Sequence, residues 1–284
     1  MAFDRSAENV GNIVEFGHVN TRIPDQRLAT LFYVTGLGLT RDPYLVTGVE
    51  NMWVNAGVTQ FHLPTGAPQV LRGTTVLATP DLAHLAWRLA RVAPELAGTR
   101  FGFAETNAAI EVTCPWGNRI RCVADPATKL GITHVELDTA PGTAPGIVRF
   151  YQRVVGAQAW LAGTEAHVRA GLSTLLVYRE TESVPPEFDG AHIQISLADF
   201  GTPHAWLAEH GLITEESNRS QYRFQDMVDP DTGAVLCTIE HEVRSMRHPM
   251  FARPLVNRDP TITNMIYGPG LESLVLGTAP GVLG

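Results

Sequence analysis

The chain has 284 residues, 44% of them hydrophobic and 18% charged, enough apolar material for a sizeable core in one large domain or two ordinary ones. A formal net charge of −8 argues against nucleic acid or an anionic membrane as partner, and no apolar run is long enough to span a bilayer. The polar start MAFDRSAENVGN lacks a signal-peptide core, and Cys114, Cys122 and Cys237 are too scattered for a zinc site or a disulfide framework, so a reduced, cytoplasmic protein is expected.

Residues 13–23 alternate with β-branched residues and read as a strand. Pro24-Asp25 then opens a helix in QRLATLFYVTGLG, where Leu28, Leu31, Phe32 and Thr35 share a face and Gly36 ends it. NMWVNAG and TQFHLPT follow as strands. A second unit starts with the strand TTVLAT and the Pro80-Asp81 opening of LAHLAWRLARV, with Leu82, Leu85, Ala86 and Leu89 on one face. RFGFAE, AAIEVTC, the turn PWGN and RIRCV complete it. A third unit runs from ITHVELDT through the helical GIVRFYQRVVG to AWLAGTEAHVRAG and STLLVYRE. A fourth runs from AHIQISLADF through TPHAWLAEHG to YRFQDMV, the turn DPDTG and AVLCTIEHEV. ADPATKLG (124–131) reads as a linker between the second and third units. The tail 244–284 has no clear period. It is expected to be an extension that packs over the mouth of a site, against a second subunit, or stays loosely ordered.

The βαβββ order repeated four times, the HV pair in the first strands FGHVNTRI and ITHVELDT, the Pro-Asp helix starts and the DPDTG turn together resemble the vicinal oxygen chelate superfamily. That superfamily includes glyoxalase I, bleomycin-resistance proteins and extradiol ring-cleaving dioxygenases. The resemblance covers 13–243 and is most similar to the two-domain extradiol enzymes. It implies an α+β fold of four βαβββ modules forming two domains, 13–125 and 131–243, each with a cup-shaped mixed sheet, helices outside and a site inside.

Strand parity then sorts the residues of such a cup, because successive side chains point to opposite faces. Val135 and Leu137 share one face of ITHVELDT, which puts His134 on the other. Ile193, Ile195 and Leu197 likewise put His192 in the cup, and Val235, Cys237, Ile239 and Val243 put Glu240 and Glu242 there, with His241 on the apolar side. Two histidines and a carboxylate suit non-haem Fe(II) or Mn(II) with coordination positions left for substrate. The resemblance carries this set over as His134, His192 and Glu240, with Glu242 as the alternative carboxylate. His167 is a candidate acid/base. The resemblance also places a tyrosine before the DP turn, and here that position is Asp226. In the first domain His18 repeats His134, but the matching positions hold Thr74 or Thr75 and Arg121, so this domain is expected to lack a metal. Gln60 and His62 share a face of TQFHLPT and could line a small pocket.

The leading expectation is an Fe(II)- or Mn(II)-dependent oxidoreductase acting on a small catechol-like or other vicinal-oxygen substrate. A glyoxalase- or epimerase-like enzyme, with Glu240 or Glu242 moving a proton, is the first alternative. A non-catalytic small-molecule-binding protein of the same fold is the second. A homo-oligomer would cover the edge strands.

Overall fold

A computed structural model describes residues 3–45, 50–124, 130–183 and 187–257. Each module supplies four strands and a helix. The first comprises β1 (Ile13–Asn20), α1 (Gln26–Ala29), β2 (Thr40–Arg41), β3 (Asn51–Ala56) and β4 (Thr59–Pro64). The second comprises β5 (Gly73–Thr79), α2 (Leu82–Val92), β6 (Gly102–Glu105), β7 (Ala109–Thr113) and β8 (Arg119–Ala124). The third comprises β9 (Gly131–Thr139), α3 (Ala144–Phe150), β10 (Ala159–Ala162), β11 (Glu165–Ala170) and β12 (Thr174–Glu180). The fourth comprises β13 (His192–Leu197), α4 (Gly201–Glu209), β14 (Ile213–Asn218), β15 (Gln221–Val228) and β16 (Val235–Ser245).

The helix starts follow from local chemistry. The side chain of Asp25 accepts from the Leu28 N–H, and that of Asp81 from the His84 N–H, each at 2.9 Å, which satisfies a donor that the first helical turn leaves open. Two helices loosen at their ends: α1 runs into a π-helical turn over Thr30–Gly36, and α3 into one over Tyr151–Val155. Gly156 stops the latter with φ 77°, a left-handed conformation that glycine adopts without steric cost. The DPDTG turn closes as expected: the Gly233 N–H donates to the Asp229 carbonyl at 2.8 Å.

The strands form two eight-stranded mixed sheets, in the orders β14-β15-β16-β13-β1-β4-β3-β2 and β10-β11-β12-β9-β5-β8-β7-β6. One sheet therefore takes its strands from modules four and one, and the other from modules three and two. This differs from the expectation that consecutive modules share a sheet. The first strand of each module is an inner strand: β13 lies next to β1 in one sheet and β9 next to β5 in the other. Contacts divide the described residues into two compact units: those of 3–17, 136–188 and 192–252 form one, and those of 18–135, 189–191 and 253–257 the other. The central part of the expected linker, 125–129, lies outside the described residues.

In the first unit, Ile193, Ile195, Leu197, Val243, Phe224 and Tyr222 are fully buried. They share the face on which α3 packs against β15 and β16. Each such side chain contributes roughly 1.5–3 kcal/mol by leaving water. Parity sends the intervening residues to the opposite face. In the second unit, Leu85, Leu89 and Val92 of α2 fill the equivalent role against β7, β8 and the π-helical turn. The start of the C-terminal extension belongs to this unit. Asn55 donates to the Val256 carbonyl at 3.0 Å, and Asn257 to the Gly57 carbonyl at 2.9 Å. Its remainder, 258–284, lies outside the described residues. No helix of the described residues is long and apolar enough to cross a membrane.

Candidate functional site

Parallel pairing of β13 with β16 sets His192 opposite Glu240, Gln194 opposite Glu242 and Ser196 opposite Arg244. Antiparallel pairing of β15 with β16 adds Arg223 opposite Glu242 and Gln221 opposite Arg244. Since the alternate residues of all three strands are the apolar ones buried under the helices, these polar side chains share one face. The His192 ring lies between two carboxylates, with Nδ1 3.2 Å from Glu240 Oε1 and Nε2 3.4 Å from Glu242 Oε2. Arg223 spans the same pair, Nη1 donating to Glu240 at 2.5 Å and Nη2 to Glu242 at 2.7 Å. Arg244 reaches the other Glu242 oxygen at 2.6 Å, and Gln225 donates to Glu240 at 3.2 Å.

The cluster is deep: the side chains of His192 and Glu242 are 6% and 3% exposed. Burial on its own pushes the Glu240 carboxyl toward protonation. The His192 hydrogen bond and charge, Gln225 and Arg223 outweigh it and hold the pKa down at about 2. The network continues along β13. Gln194 donates to Ser196 Oγ at 3.1 Å, and Ser196 donates to Glu15 on β1 at 2.8 Å. Gly17 permits this packing, since a Cβ there would stand 1.8 Å from Gln194 Oε1.

His241 points the other way, as parity predicted, into the helix-covered core. Its pKa is lowered to about 4 by burial, so the ring is neutral near pH 7. Nδ1–H donates to the Ile239 carbonyl at 3.0 Å, which makes Nε2 an acceptor for the Tyr151 hydroxyl at 2.6 Å. Tyr151 in turn accepts from Tyr178 at 2.5 Å. This chain of bonds is structural.

The other predicted residues stand elsewhere. His134 is on β9, in the other sheet from His192 and Glu240, with Nδ1 3.1 Å from Thr133 Oγ1. His167 is on β11, also in that other sheet, with Nε2 2.9 Å from Glu165 Oε2. The structure therefore brings together His192, Glu240 and Glu242 but does not bring His134 or His167 into their sheet. Asp226, at the expected tyrosine position, accepts from Thr238 at 2.6 Å. Arg223, which bridges the two carboxylates, was missed. Its signal was present, because Tyr222 and Phe224 are apolar neighbours that fix its face.

The second unit holds its own histidine cluster. Parallel pairing of β1 with β4 sets His18 opposite Gln60 and Asn20 opposite His62, and β3 places Trp53 opposite His62. The His62 ring stacks on Trp53 with centroids 3.8 Å apart, and His18 meets both rings edge-on at 5.0 and 5.5 Å. Asn20 donates to His62 Nδ1 and His62 Nε2–H donates to Asn51 Oδ1, each at 2.6 Å, which fixes a neutral tautomer. His18 and His62 each offer a ring nitrogen, these lying within 4.8 Å of one another. Gln60 is held by Asn55 at 2.6 Å and by Asp42 at 3.0 Å. Burial opposes ionisation of Asp42, but Arg253 and the N–H groups of Tyr44 and Leu45 hold its carboxyl below the usual range. His18 is thus more than a structural repeat of His134: it is 1% exposed and packed against a second histidine.

No family model matches the sequence, and no curated protein matches it. Solved structures do. Glyoxalase I from Zea mays superposes with a TM-score of 0.56 at 13% identity, covering 81% of this chain and 92% of that one. A candidate dioxygenase from Bacillus subtilis subsp. subtilis str. 168 gives 0.55 at 15% identity, covering 84% and 86%. At these identities the likeness is one of fold. The chain has the vicinal oxygen chelate fold in a four-module, α+β form with two eight-stranded mixed sheets.

Proposed function

We propose that this protein is a divalent-metal-dependent enzyme acting on a small vicinal-oxygen substrate, with His192 and Glu240 as metal ligands and Glu242 beside them as the proton-handling carboxylate. The observation that carries the reading is a buried imidazole held between two carboxylates, with a nitrogen 3.2 Å from Glu240 and the other 3.4 Å from Glu242. The donor chemistry fits: imidazole nitrogen and carboxylate oxygen suit Fe(II), Mn(II) and neighbouring ions, and a ligand carboxylate must be ionised to bind. In the second unit, His18 and His62 are further candidate ligands of the same donor type. A bound ion would polarise the substrate oxygens and stabilise negative charge developing on them. The chain's own groups do the rest. Arg223 fixes the separation of Glu240 and Glu242, and Glu242 exchanges a proton with a carbon next to the polarised oxygen.

Proton transfer of the glyoxalase or epimerase type is favoured over oxidative ring cleavage because two carboxylates flank His192 while the expected tyrosine position is Asp226. Two assays on metal-supplemented protein separate them: deuterium exchange from solvent into a panel of α-hydroxycarbonyl compounds, and oxygen uptake with a catechol panel. Exchange that is lost in Glu242→Gln is the expected result. Oxygen uptake without exchange would establish the dioxygenase instead. Silence in both assays would leave a binding protein of this fold.

A further inference from the structure

Residues 253–257 are fixed to the first module by polar contacts. Arg253 Nη2 donates to Asp42 Oδ2 at 2.5 Å and Nη1 to Oδ1 at 3.4 Å. Further along, Val256 accepts from the Asn55 side chain and Asn257 donates to the Gly57 carbonyl. Asp42 and Asn55 are also the residues that hold Gln60, at 3.0 and 2.6 Å. Gln60 stands opposite His18 in the β1–β4 register. Trp53, two residues from Asn55 and so on the same face of β3, stands opposite His62, and its carbonyl accepts from the Asp42 N–H at 2.8 Å. The anchors of the segment therefore border the floor made by His18, His62 and Trp53. That floor is closed to solvent at His18 and Trp53, which are 1% and 6% exposed.

The hold is of a kind that can be released. Leu255 is buried, but Pro254 is exposed and Val256 half-exposed, so little apolar area returns to water when the segment lifts. The Asp42 side chain is fully buried, yet it also accepts from the N–H groups of Tyr44 at 2.8 Å and Leu45 at 3.0 Å and from Gln60, so it keeps donors when Arg253 leaves. Arg253 is already 19% exposed and passes to water. Immediately before the segment stands Ala252 with φ 51°, the one non-glycine among the described residues in the left-handed region. That conformation costs on the order of 1–3 kcal/mol and persists only where its surroundings impose it. We infer that residues 253–257 are a strap that opens and closes over the floor of the first module, with the Arg253–Asp42 ion pair as its latch and Ala252 as its hinge, and so controls the access of small molecules to His18 and His62. This does not depend on the metal reading, because it concerns the approach to the two rings and not what they bind.

The test is acylation of histidines by diethyl pyrocarbonate on the full chain, read residue by residue by peptide mass spectrometry, with a chelator present so that no ion shields a ring. In the wild-type chain His18 and His62 should react slowly. Arg253→Ala should speed both by about tenfold, the factor that corresponds to ~1.4 kcal/mol. Arg253→Lys, which keeps the charge but loses the two-point grip, should speed them by less. The exposed His84 and His210 should react equally in all three chains. His241, fully buried in the core of the other unit, reports unfolding and should stay unmodified. Fast reaction of His18 and His62 in the wild-type chain, no acceleration in Arg253→Ala, or an acceleration shared by His241 would overturn the proposal.

Discussion

The third and fourth modules each build a group of histidine, glutamate and arginine on a strand face opposite the apolar one, His167 on β11 and His192 on β13, yet in different media. Around His192 the ring and Glu242 are buried, Glu240 and Arg223 are partly buried, and each carboxylate is met by a guanidinium and an imidazole nitrogen. Around His167 the same groups are partly hydrated, and Arg179 is 39% exposed. Burial makes the first cluster all-or-none, since removing one partner strands a charge in a poorly solvated interior, while water can replace a lost partner in the second. A rigid charge array suits a fixed ion and a directed proton transfer.

The largest break in this comparison is Arg223→Ala. It leaves Glu240 and Glu242 facing each other without their bridge, and urea denaturation should show a loss of ~3–5 kcal/mol. A change under 1 kcal/mol, the range typical of a surface pair, would mean that the cluster is not buried in solution.

Acid should act next. Glu240 has a pKa of about 2 in the folded chain against an ordinary 4.5, so its contribution is present above 4.5 and is lost as pH falls toward 2. His241, at about 4 against 6.5, is buried neutral, so its contribution is present above 6.5 and lost as pH falls through 4. Both signs agree. The thermal midpoint should decline from pH 6.5, most steeply between 4.5 and 4 where both groups take up protons, and then more gently toward 2. A midpoint that is flat from pH 7 to 4 would contradict the burial of His241.

A smaller effect is expected from Tyr151→Phe, which removes the hydroxyl linking Tyr178 to His241 without changing the ring. A loss of about 1–3 kcal/mol should appear in the same denaturation experiment, as for a buried hydrogen-bond partner left unmet. The smallest is Glu165→Gln in the open cluster, where about 0–1 kcal/mol is expected. If its cost matched that of Arg223→Ala, the contrast between the two modules would be lost.

Much of this arrangement was legible in the sequence because β-strand parity is a local property. Ile193 and Ile195 fix the face of His192, and Ile239 and Val243 fix that of Glu240 and Glu242 and send His241 to the core, where it is found. The helix starts were legible for the same reason, since Asp25 and Asp81 cap within their own turn. Sheet assembly was not legible. Nothing within ITHVELDT records that β9 shares a sheet with β5 while β13 shares one with β1, because the module repeat gives all four first strands similar edges. The grouping of His134 and His167 with His192 depended on that missing information. The face of His62 was legible, but its partners were not: Asn20 and Asn51 are ordinary polar residues until β1 and β3 are set on either side of it.

The central claim is that His192 and Glu240 hold a divalent ion, and metal stoichiometry tests it most directly. Protein supplemented with Fe(II) or Mn(II), desalted and analysed by elemental mass spectrometry should carry about one ion per chain, with His192→Ala and Glu240→Ala falling to background and His134→Ala retaining it. Retention of metal by His192→Ala, or a wild-type chain that holds none from Fe(II), Mn(II), Ni(II) or Zn(II), would contradict the account.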